Sequence, residues 1–322
     1  MNILVTGCAG FIGYNLSELI LSKNKKYKIY GIDNINNYYD VNLKKSRLKN
    51  LNQYENFIFT KIDITNHNKL NKFFLTNKIQ VVIHLAAQAG VRHSLKKPQD
   101  YVNSNLLGFC NILEISKNYK IKHLIFASTS SVYGETKKFP VKENTNTDKP
   151  ISFYAATKKC NEILAYSYSK NYQMNCTGLR FFTVYGKFGR PDMALFKFTD
   201  AILKNKKAQI YNNGRHQRDF TYVDDVTNKI FKLINKPNIK KHYQIFNIAS
   251  GKSNQLKYFI KLIEKYTNRK LKINNLAKQK GDIVKTHADI TKISNYLRDN
   301  YSTSLKSGIN NFIKWYREYY KI

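Results

Sequence analysis

A strand that runs straight into a glycine-rich turn and then an apolar helix constrains this chain more than any other feature: Met1-Asn-Ile-Leu-Val-Thr-Gly7-Cys-Ala-Gly10-Phe11-Ile12-Gly13. Such a unit makes a cradle for a dinucleotide pyrophosphate. Gly7 permits the tight turn, Gly10 lets the backbone approach the phosphates, and Gly13 lets the helix pack closely on the sheet. Phe11 and Ile12 open the helix, where exposed N–H groups and the helix dipole attract an anion. Glycines also serve ordinary turns, so the following strand matters. Lys28-Ile-Tyr-Gly-Ile-Asp33 ends in an acid suited to an adenosine ribose diol. Asp33 would repel a 2′-phosphate and Asn34 adds no positive charge beside it, so NAD is expected rather than NADP.

Strands and helices alternate through the first half. Phe57-Ile-Phe-Thr-Lys-Ile-Asp63 reads as a strand, and a helix follows near Asn68 to Leu75. Val81-Val-Ile-His-Leu-Ala86-Ala87 and His123-Leu-Ile-Phe-Ala127 are apolar runs typical of strands buried on both faces. A long helix is predicted from about Asp100 to Tyr119 between them. This order predicts an α/β fold, a doubly wound parallel (Rossmann) sheet. Beyond about Arg180 the alternation weakens. The expected division is a dinucleotide-binding domain over 1–180 and a smaller C-terminal substrate-binding region over 181–322, partly interleaved with the first.

The formal charge of +34 would suit a nucleic-acid binder. The lysines, however, are scattered along the chain, many beside asparagine, as in Lys204-Asn-Lys-Lys207, and no arginine-rich arm or zinc spacing accompanies them. We read them as solvated faces and expect no nucleic-acid partner. There is no apolar stretch of about twenty residues and no secretory signal, so no membrane partner is expected. Cys8, Cys110, Cys160 and Cys176 are widely spaced, which fits reduced thiols in a cytoplasmic protein. His84, His93 and His216 lack mutual metal-ligand spacing; they read as structural, with no metal expected.

The chemistry is carried by Ser128-Thr129-Ser130-Ser131 at a strand end and by Tyr154-Ala-Ala-Thr-Lys158 at a helix start. Tyr154 and Lys158 stand four apart and share one helical face. A phenol is too weak an acid to serve as a base at neutral pH, but a nearby ammonium and a positive nicotinamide ring favour the phenolate. The hydroxyl of Thr129 can complete the hydrogen bonding to the same substrate oxygen.

With these residues in view the chain resembles the extended short-chain dehydrogenases/reductases, from Met1 to roughly Asp289. Gly7, Gly10, Gly13, Asp63, Ala86-Ala87, Thr129, Tyr154 and Lys158 fall on that family's motifs. Within it the chain most resembles the UDP-glucuronate 4-epimerases, through Asp33-Asn-Ile-Asn-Asn-Tyr-Tyr-Asp-Val-Asn-Leu-Lys-Lys-Ser-Arg-Leu48, Ala89-Gly-Val-Arg92-His-Ser94, Arg180-Phe-Phe-Thr183-Val-Tyr-Gly186, Gly189-Arg190-Pro-Asp-Met-Ala194 and Arg218-Asp-Phe-Thr-Tyr-Val-Asp-Asp225. Lys187-Phe188 departs from the Pro-Trp usual there. The resemblance implies a homodimer built on the helices near Asp100 to Tyr119 and Ser152 to Tyr172; Leu106, Leu107, Ile112, Leu113, Ile163 and Leu164 supply apolar stripes that would serve either this interface or a cover for the sheet. It also places Asp63 and Ile64 against adenine.

The same resemblance bears on the substrate, a UDP-sugar. Dehydrating relatives carry an Asp-Glu pair where Ser130 and Ser131 stand, and decarboxylating relatives carry Glu at Ser131. UDP-galactose 4-epimerases carry Asn at Thr183. The resemblance therefore implies Ser130, Ser131, Thr183 and Arg190 around a C6 carboxylate, Arg218 on the diphosphate, and Arg92 and Asp282 as pocket or uridine contacts. A 4-epimerase of neutral UDP-hexoses or their N-acetyl forms is the alternative within enzymes, and a non-catalytic NAD-binding or RNA-associated protein the alternative outside them.

Overall fold

The computed structural model describes residues 1–277 and 282–322. Its strands are β1 Asn2–Thr6, β2 Lys28–Asp33, β3 Phe57–Lys61, β4 Val81–His84, β5 His123–Thr129, β6 Cys176–Phe181, β7 Thr183–Tyr185, β8 Lys207–Tyr211, β9 Gln217–Tyr222, β10 Tyr243–Ile248, β11 Ser253–Gln255 and β12 Lys272–Leu276. The α-helices are α1 Phe11–Lys23, α2 Val41–Leu51, α3 His67–Asn77, α4 Val91–Lys96, α5 Pro98–Tyr101, α6 Gly108–Asn118, α7 Phe153–Tyr172, α8 Ala194–Leu203, α9 Val223–Leu233, α10 Leu256–Thr267, α11 Thr291–Leu297 and α12 Leu305–Tyr320.

Two compact units divide the chain. The first comprises 1–135, 143–181 and 227–247; the second comprises 136–142, 182–226 and 248–322. In the first, a seven-stranded sheet runs β10-β6-β5-β4-β1-β2-β3. β1 pairs in parallel with both β2 and β4, so the strand order reverses at β1 and its carboxyl end opens a crevice. β4 and β5 are buried almost throughout, which explains their unbroken apolar runs. Leu4, Ile32, Phe74, Val82, Leu124 and Phe126 belong to one core cluster on this sheet.

The helix expected from Asp100 to Tyr119 is interrupted. α5 passes into a π-helical stretch, Val102–Leu107, before α6 begins. The side chain of Asn105 accepts from the Gln88 N–H at 2.8 Å and donates to the Gln88 carbonyl at 3.0 Å, while the Asn105 carbonyl accepts from Asn161 at 2.6 Å. The last of these bonds engages the backbone carbonyl that the regular i→i−4 ladder would use. Ile112 and Leu113, expected on a dimer face, are fully buried in the unit's own core, whereas Leu107 and Ile163 are exposed. One apolar stripe on α6 therefore covers the sheet.

In the second unit β11-β9-β7 form one small sheet and β12-β8 another. Aromatic side chains of α8 and α12 pack together, Phe196 meeting Phe312, Trp315, Tyr316 and Tyr320. Phe188, one of the two departures from the family pattern, lies buried against Trp315 and Tyr319, with ring centroids 4.9 and 5.8 Å away. Its aromatic bulk is thus used in packing. Asp219 on β9 is fully buried and accepts from the Ser250 N–H and hydroxyl and the Ala288 N–H, which pins the strand that carries Arg218.

Candidate active site

The glycine turn has the geometry its sequence requires. Gly7 adopts φ +71°, and a Cβ there would come within 2.8 Å of the Ala86 nitrogen. A Cβ on Gly10 would lie 2.9 Å from the Gly7 carbonyl oxygen, so the concavity exists only while both side chains are absent. Gly10→Ala is expected to push the turn open at a cost of about 1–3 kcal/mol and to strip co-purifying dinucleotide. Absorbance of nucleotide released from the denatured protein would measure this.

Asp33 closes the next strand as expected. Its Oδ2 accepts from the Ala9 N–H at 3.2 Å and its Oδ1 from the Ile35 N–H at 2.7 Å. Burial pushes its carboxyl above the ordinary range, while the Ile35 N–H, Lys44, the Ala9 N–H and Arg47 pull it back. Neither cation was singled out by sequence reasoning. Arg47, fully buried, donates to the Ala9 carbonyl and to the Tyr39 hydroxyl, both at 2.7 Å. Lys44 donates to the Asn36 carbonyl and side chain, also at 2.7 Å. The signal available in sequence was their recurrence on α2, in the basic run after Asp40.

Asn34 and Asp63 are brought together, with the Asn34 amide donating to Asp63 Oδ2 at 2.8 Å. Burial tends to raise the Asp63 carboxyl, but Asn34 and Thr65 outweigh it and hold it below the usual value. Ile64 is buried beside Gly108. Thr6 Oγ1 accepts from the Leu85 and Ala86 N–H groups at 3.2 and 3.1 Å, so its proton points to His84 Nδ1 at 2.9 Å. Burial, then the nearby Lys158 charge, pulls His84 down to about 3, and it is a neutral imidazole bracing the wall that contains Ala86 and Ala87. Burial, then Asp33, raises the Cys8 thiol well above its ordinary range, which leaves it an inert packing residue.

The reacting groups stand on β5 and α7. Thr129 ends β5 and caps the turn that follows by accepting from the Ser131 N–H at 3.2 Å; Ser130 and Ser131 are half-buried in that turn. Ser152 caps α7 by accepting from the Ala155 N–H at 3.1 Å, which fixes where the helix begins and hence where Tyr154 sits. Tyr154 is half-buried, its ring edge-on to Tyr101 at 6.0 Å. Lys158 is 1% exposed, and its Nζ has no hydrogen-bond partner among the described residues. Burial pulls this ammonium down to about 7, with Glu162 acting against it. A buried, unsatisfied cation is costly unless a ligand completes it. Together with the glycine cradle and Asp33, it makes the residues present a fit for a dinucleotide with a hydroxylated ribose.

Arg92 lies on α4 of the same unit, exposed. In the second unit Arg218 and Asp282 are brought together, Nη2 to Oδ1 at 3.5 Å, and Arg218 Nη1 donates to the Gln217 and Val284 carbonyls at 3.0 Å. His216, read from sequence as structural, faces the other oxygen of Asp282 at 3.3 Å. Arg190 grips Asp192 through Nε and Nη2 at 3.0 and 2.5 Å. Burial tends to raise the Asp192 carboxyl, yet the Arg190 charge prevails and holds it low. Thr183 opens β7, half-buried. Among the described residues no His, Cys, Asp and Glu group suits a metal ion, and no helix is long and apolar enough to cross a membrane.

A UDP-glucuronate 4-epimerase of Thermodesulfobacterium geofontis is 42% identical over 316 residues, covering 98% of this chain and 96% of that one. The crystal structure of UDP-glucuronic acid 4-epimerase from Bacillus cereus, in complex with UDP-glucuronic acid and NAD, superposes with a TM-score of 0.93 at 35% identity, covering 99% of this chain and 100% of that one. UDP-glucose 4-epimerase from Thermotoga maritima with UDP-glucose follows at a TM-score of 0.89 and 29% identity, covering 99% and 100%. Residues 3–249 match the NAD dependent epimerase/dehydratase family. With the glycine cradle, the ribose acid and the Tyr-Lys helix all in that matched span, the chain belongs to the NAD dependent epimerase/dehydratase family.

Proposed function

We propose that this protein is an NAD-dependent UDP-glucuronate 4-epimerase, interconverting UDP-glucuronate and UDP-galacturonate through a 4-keto sugar. The observation that carries the reading is the buried, unpartnered Lys158 ammonium one turn beyond Tyr154. Bound NAD supplies a reversible hydride acceptor for C4 of the sugar. Tyr154 as phenolate takes the C4 hydroxyl proton and later returns it to the C4 oxygen, after the flat keto sugar has turned its other face to the cofactor for hydride return. Lys158 favours the phenolate and holds the nicotinamide ribose, and Thr129 directs the C4 oxygen. Gly7, Gly10, Phe11, Ile12 and Gly13 receive the pyrophosphate, Asp33 and Asn34 the adenosine ribose, Asp63 and Ile64 the adenine, and Ala86 and Ala87 line the cofactor's path. Dinucleotide binding falls to residues 1–180 and most of the sugar-nucleotide binding to 181–322, partly interleaved with the first region.

The sugar acid imposes a further demand. A 4-keto uronate is a β-keto acid and loses CO2 when its carboxylate bond aligns with the carbonyl π system. Hydroxyls of Ser130, Ser131 and Thr183 and the Arg190 guanidinium are donors suited to fixing the carboxylate out of that alignment. Arg218 serves the diphosphate, with Asp282 and Arg92 toward the uridine and the pocket. Arg190→Ala should raise KM and increase the decarboxylated share of product, because one charge-assisted contact is worth about 1.5–3 kcal/mol. Chromatography of UDP-pentose against UDP-hexuronate reads this directly.

The deciding experiment is incubation of purified protein with UDP-glucuronate, without added NAD, followed by separation of products. UDP-galacturonate with little UDP-pentose and no net NADH is the expected result. Faster turnover of UDP-galactose or UDP-N-acetylglucosamine, with UDP-glucuronate nearly inert, would transfer the assignment to neutral sugars.

We further propose a cytoplasmic homodimer, serving polysaccharide biosynthesis and joined through helices around α6 and α7. Leu107 and Ile163 (48% and 56% exposed) and Tyr166 and Tyr172 supply the apolar face. Light scattering should give twice the 37.7 kDa chain mass. Ile163→Asp should give the single-chain mass.

A further inference from the structure

A buried ion pair one turn further along α7 has no part in the chemistry above. Glu162 follows Lys158 by four residues, as Lys158 follows Tyr154, so the three form one stripe on the helix. Glu162 and Arg180 are 3% and 4% exposed. Arg180, on β6, holds the carboxylate with both prongs, Nε to Oε1 at 2.9 Å and Nη2 to Oε2 at 2.8 Å. Oε1 also accepts the hydroxyl of Ser128 at 2.6 Å. Ser128 immediately precedes Thr129 and is the register partner of Arg180 across β5 and β6. One carboxylate thus ties the strand end bearing Thr129 to the helix bearing Tyr154 and Lys158.

A buried pair of this kind is a weak source of net stability, because desolvation offsets most of the attraction. Its position relative to Lys158 gives it another use. Several ionisable groups surround the stripe. His84 on β4 is neutral, and Tyr101 on α5 meets the Tyr154 ring. Tyr133, in the turn after β5, accepts from Arg180 Nη1 at 3.0 Å. Lys159 lies 3.9 Å from Glu162 Oε2, and His93 on α4 pairs with Asp100 on α5. Among these groups Glu162 is the carboxylate whose attraction opposes the burial of Lys158.

We propose that Glu162 is a positioning residue for the epimerase reaction: gripped by Arg180 and Ser128, it sets the arrangement of Thr129, Tyr154 and Lys158 and keeps Lys158 an ammonium ion. This rests on the epimerase reading, since it assigns Glu162 a task only if Lys158 must be charged during turnover. Ammonium is lost as pH rises. Removing the carboxylate that favours it moves that loss to lower pH, so the alkaline limb of kcat should move down.

The test compares pH profiles of kcat and KM for the parent, Glu162→Gln, Glu162→Asp and the double variant Glu162→Gln/Arg180→Met, with unfolding temperature and bound-NAD content measured for each. The double variant removes both charges, so neither is stranded in the interior. Glu162→Gln is expected to shift the alkaline limb down by about one pH unit, lowering kcat about tenfold on that limb while KM changes less than about twofold; the double variant, which also loses the Arg180 cation, should shift it in the same direction but less. Glu162→Asp, which keeps the charge, should restore the limb. An unshifted limb in a folded, NAD-loaded charge-removing variant overturns the proposal, even if kcat falls. Unfolding of both charge-removing variants also overturns it, because the pair is then a structural cross-link. A parent inert toward every UDP-sugar overturns the epimerase reading itself.

Discussion

Tyr154→Phe should remove nearly all turnover, by about 10²–10⁴-fold, while the fold and the bound dinucleotide survive. The substitution deletes one oxygen and keeps the ring, whose edge-on contact with Tyr101 at 6.0 Å is unaffected by the hydroxyl. Lys158 and the glycine turn remain to hold the cofactor, so an unchanged unfolding temperature and nucleotide content are part of the expectation. What is lost is the group that shuttles the C4 proton, and a water in the same place, a far weaker acid than a phenol, is scarcely ionised even beside the Lys158 ammonium. Steady-state kcat, read beside nucleotide content, separates lost chemistry from lost binding. Activity within about threefold of the parent would assign proton transfer to another group.

Arg180→Ala should destabilise the protein by about 3–5 kcal/mol, because it leaves the Glu162 carboxylate buried without its bidentate partner. Ser128 at 2.6 Å and Lys159 at 3.9 Å remain as its contacts. The change also frees the Tyr133 hydroxyl and the Glu143 carbonyl, each of which accepts from Arg180 at 3.0 Å. At about 2–4 °C per kcal/mol for a unit of this size, the unfolding midpoint should fall by roughly 10 °C. Adding Glu162→Gln should recover part of that loss, since a neutral amide is cheaper to bury than an unpaired carboxylate. A single variant with the parental midpoint would mean that water reaches the carboxylate.

Much of this was legible in the chain itself. The apolar runs at Val81 and His123 read as strands covered on both faces, and the spacing of Gly7, Gly10 and Gly13 matched the turn that forms. Tyr154 and Lys158 announced a shared helical face because helical periodicity is local. Features that depend on partners distant in sequence were hidden. The π-helical stretch carries Asn105, whose partners Gln88 and Asn161 lie 17 and 56 residues away. Asp282 meets His216 across a separation that no spacing rule reports. The α6 stripe was visible as apolar, but an apolar stripe does not say what covers it, and Ile112 and Leu113 turned to their own sheet. Arg190 looked like a surface cation ready for a ligand; its pairing with Asp192 means that it meets any anion with its charge partly offset.

The edge position of β10 has a consequence during synthesis. This strand is Tyr243–Ile248, yet its neighbour in the sheet is β6, which ends at Phe181. A ribosome adding about 5–20 residues per second needs about 3–13 s to pass from one to the other. For that interval the nascent sheet presents β6, fully buried in the finished protein, as an open hydrogen-bonding edge. An open apolar edge invites pairing with other chains. Early release, or expression of residues 1–181 alone, should therefore yield an aggregating product that requires a chaperone, even though every glycine of the cradle and both Tyr154 and Lys158 are already present.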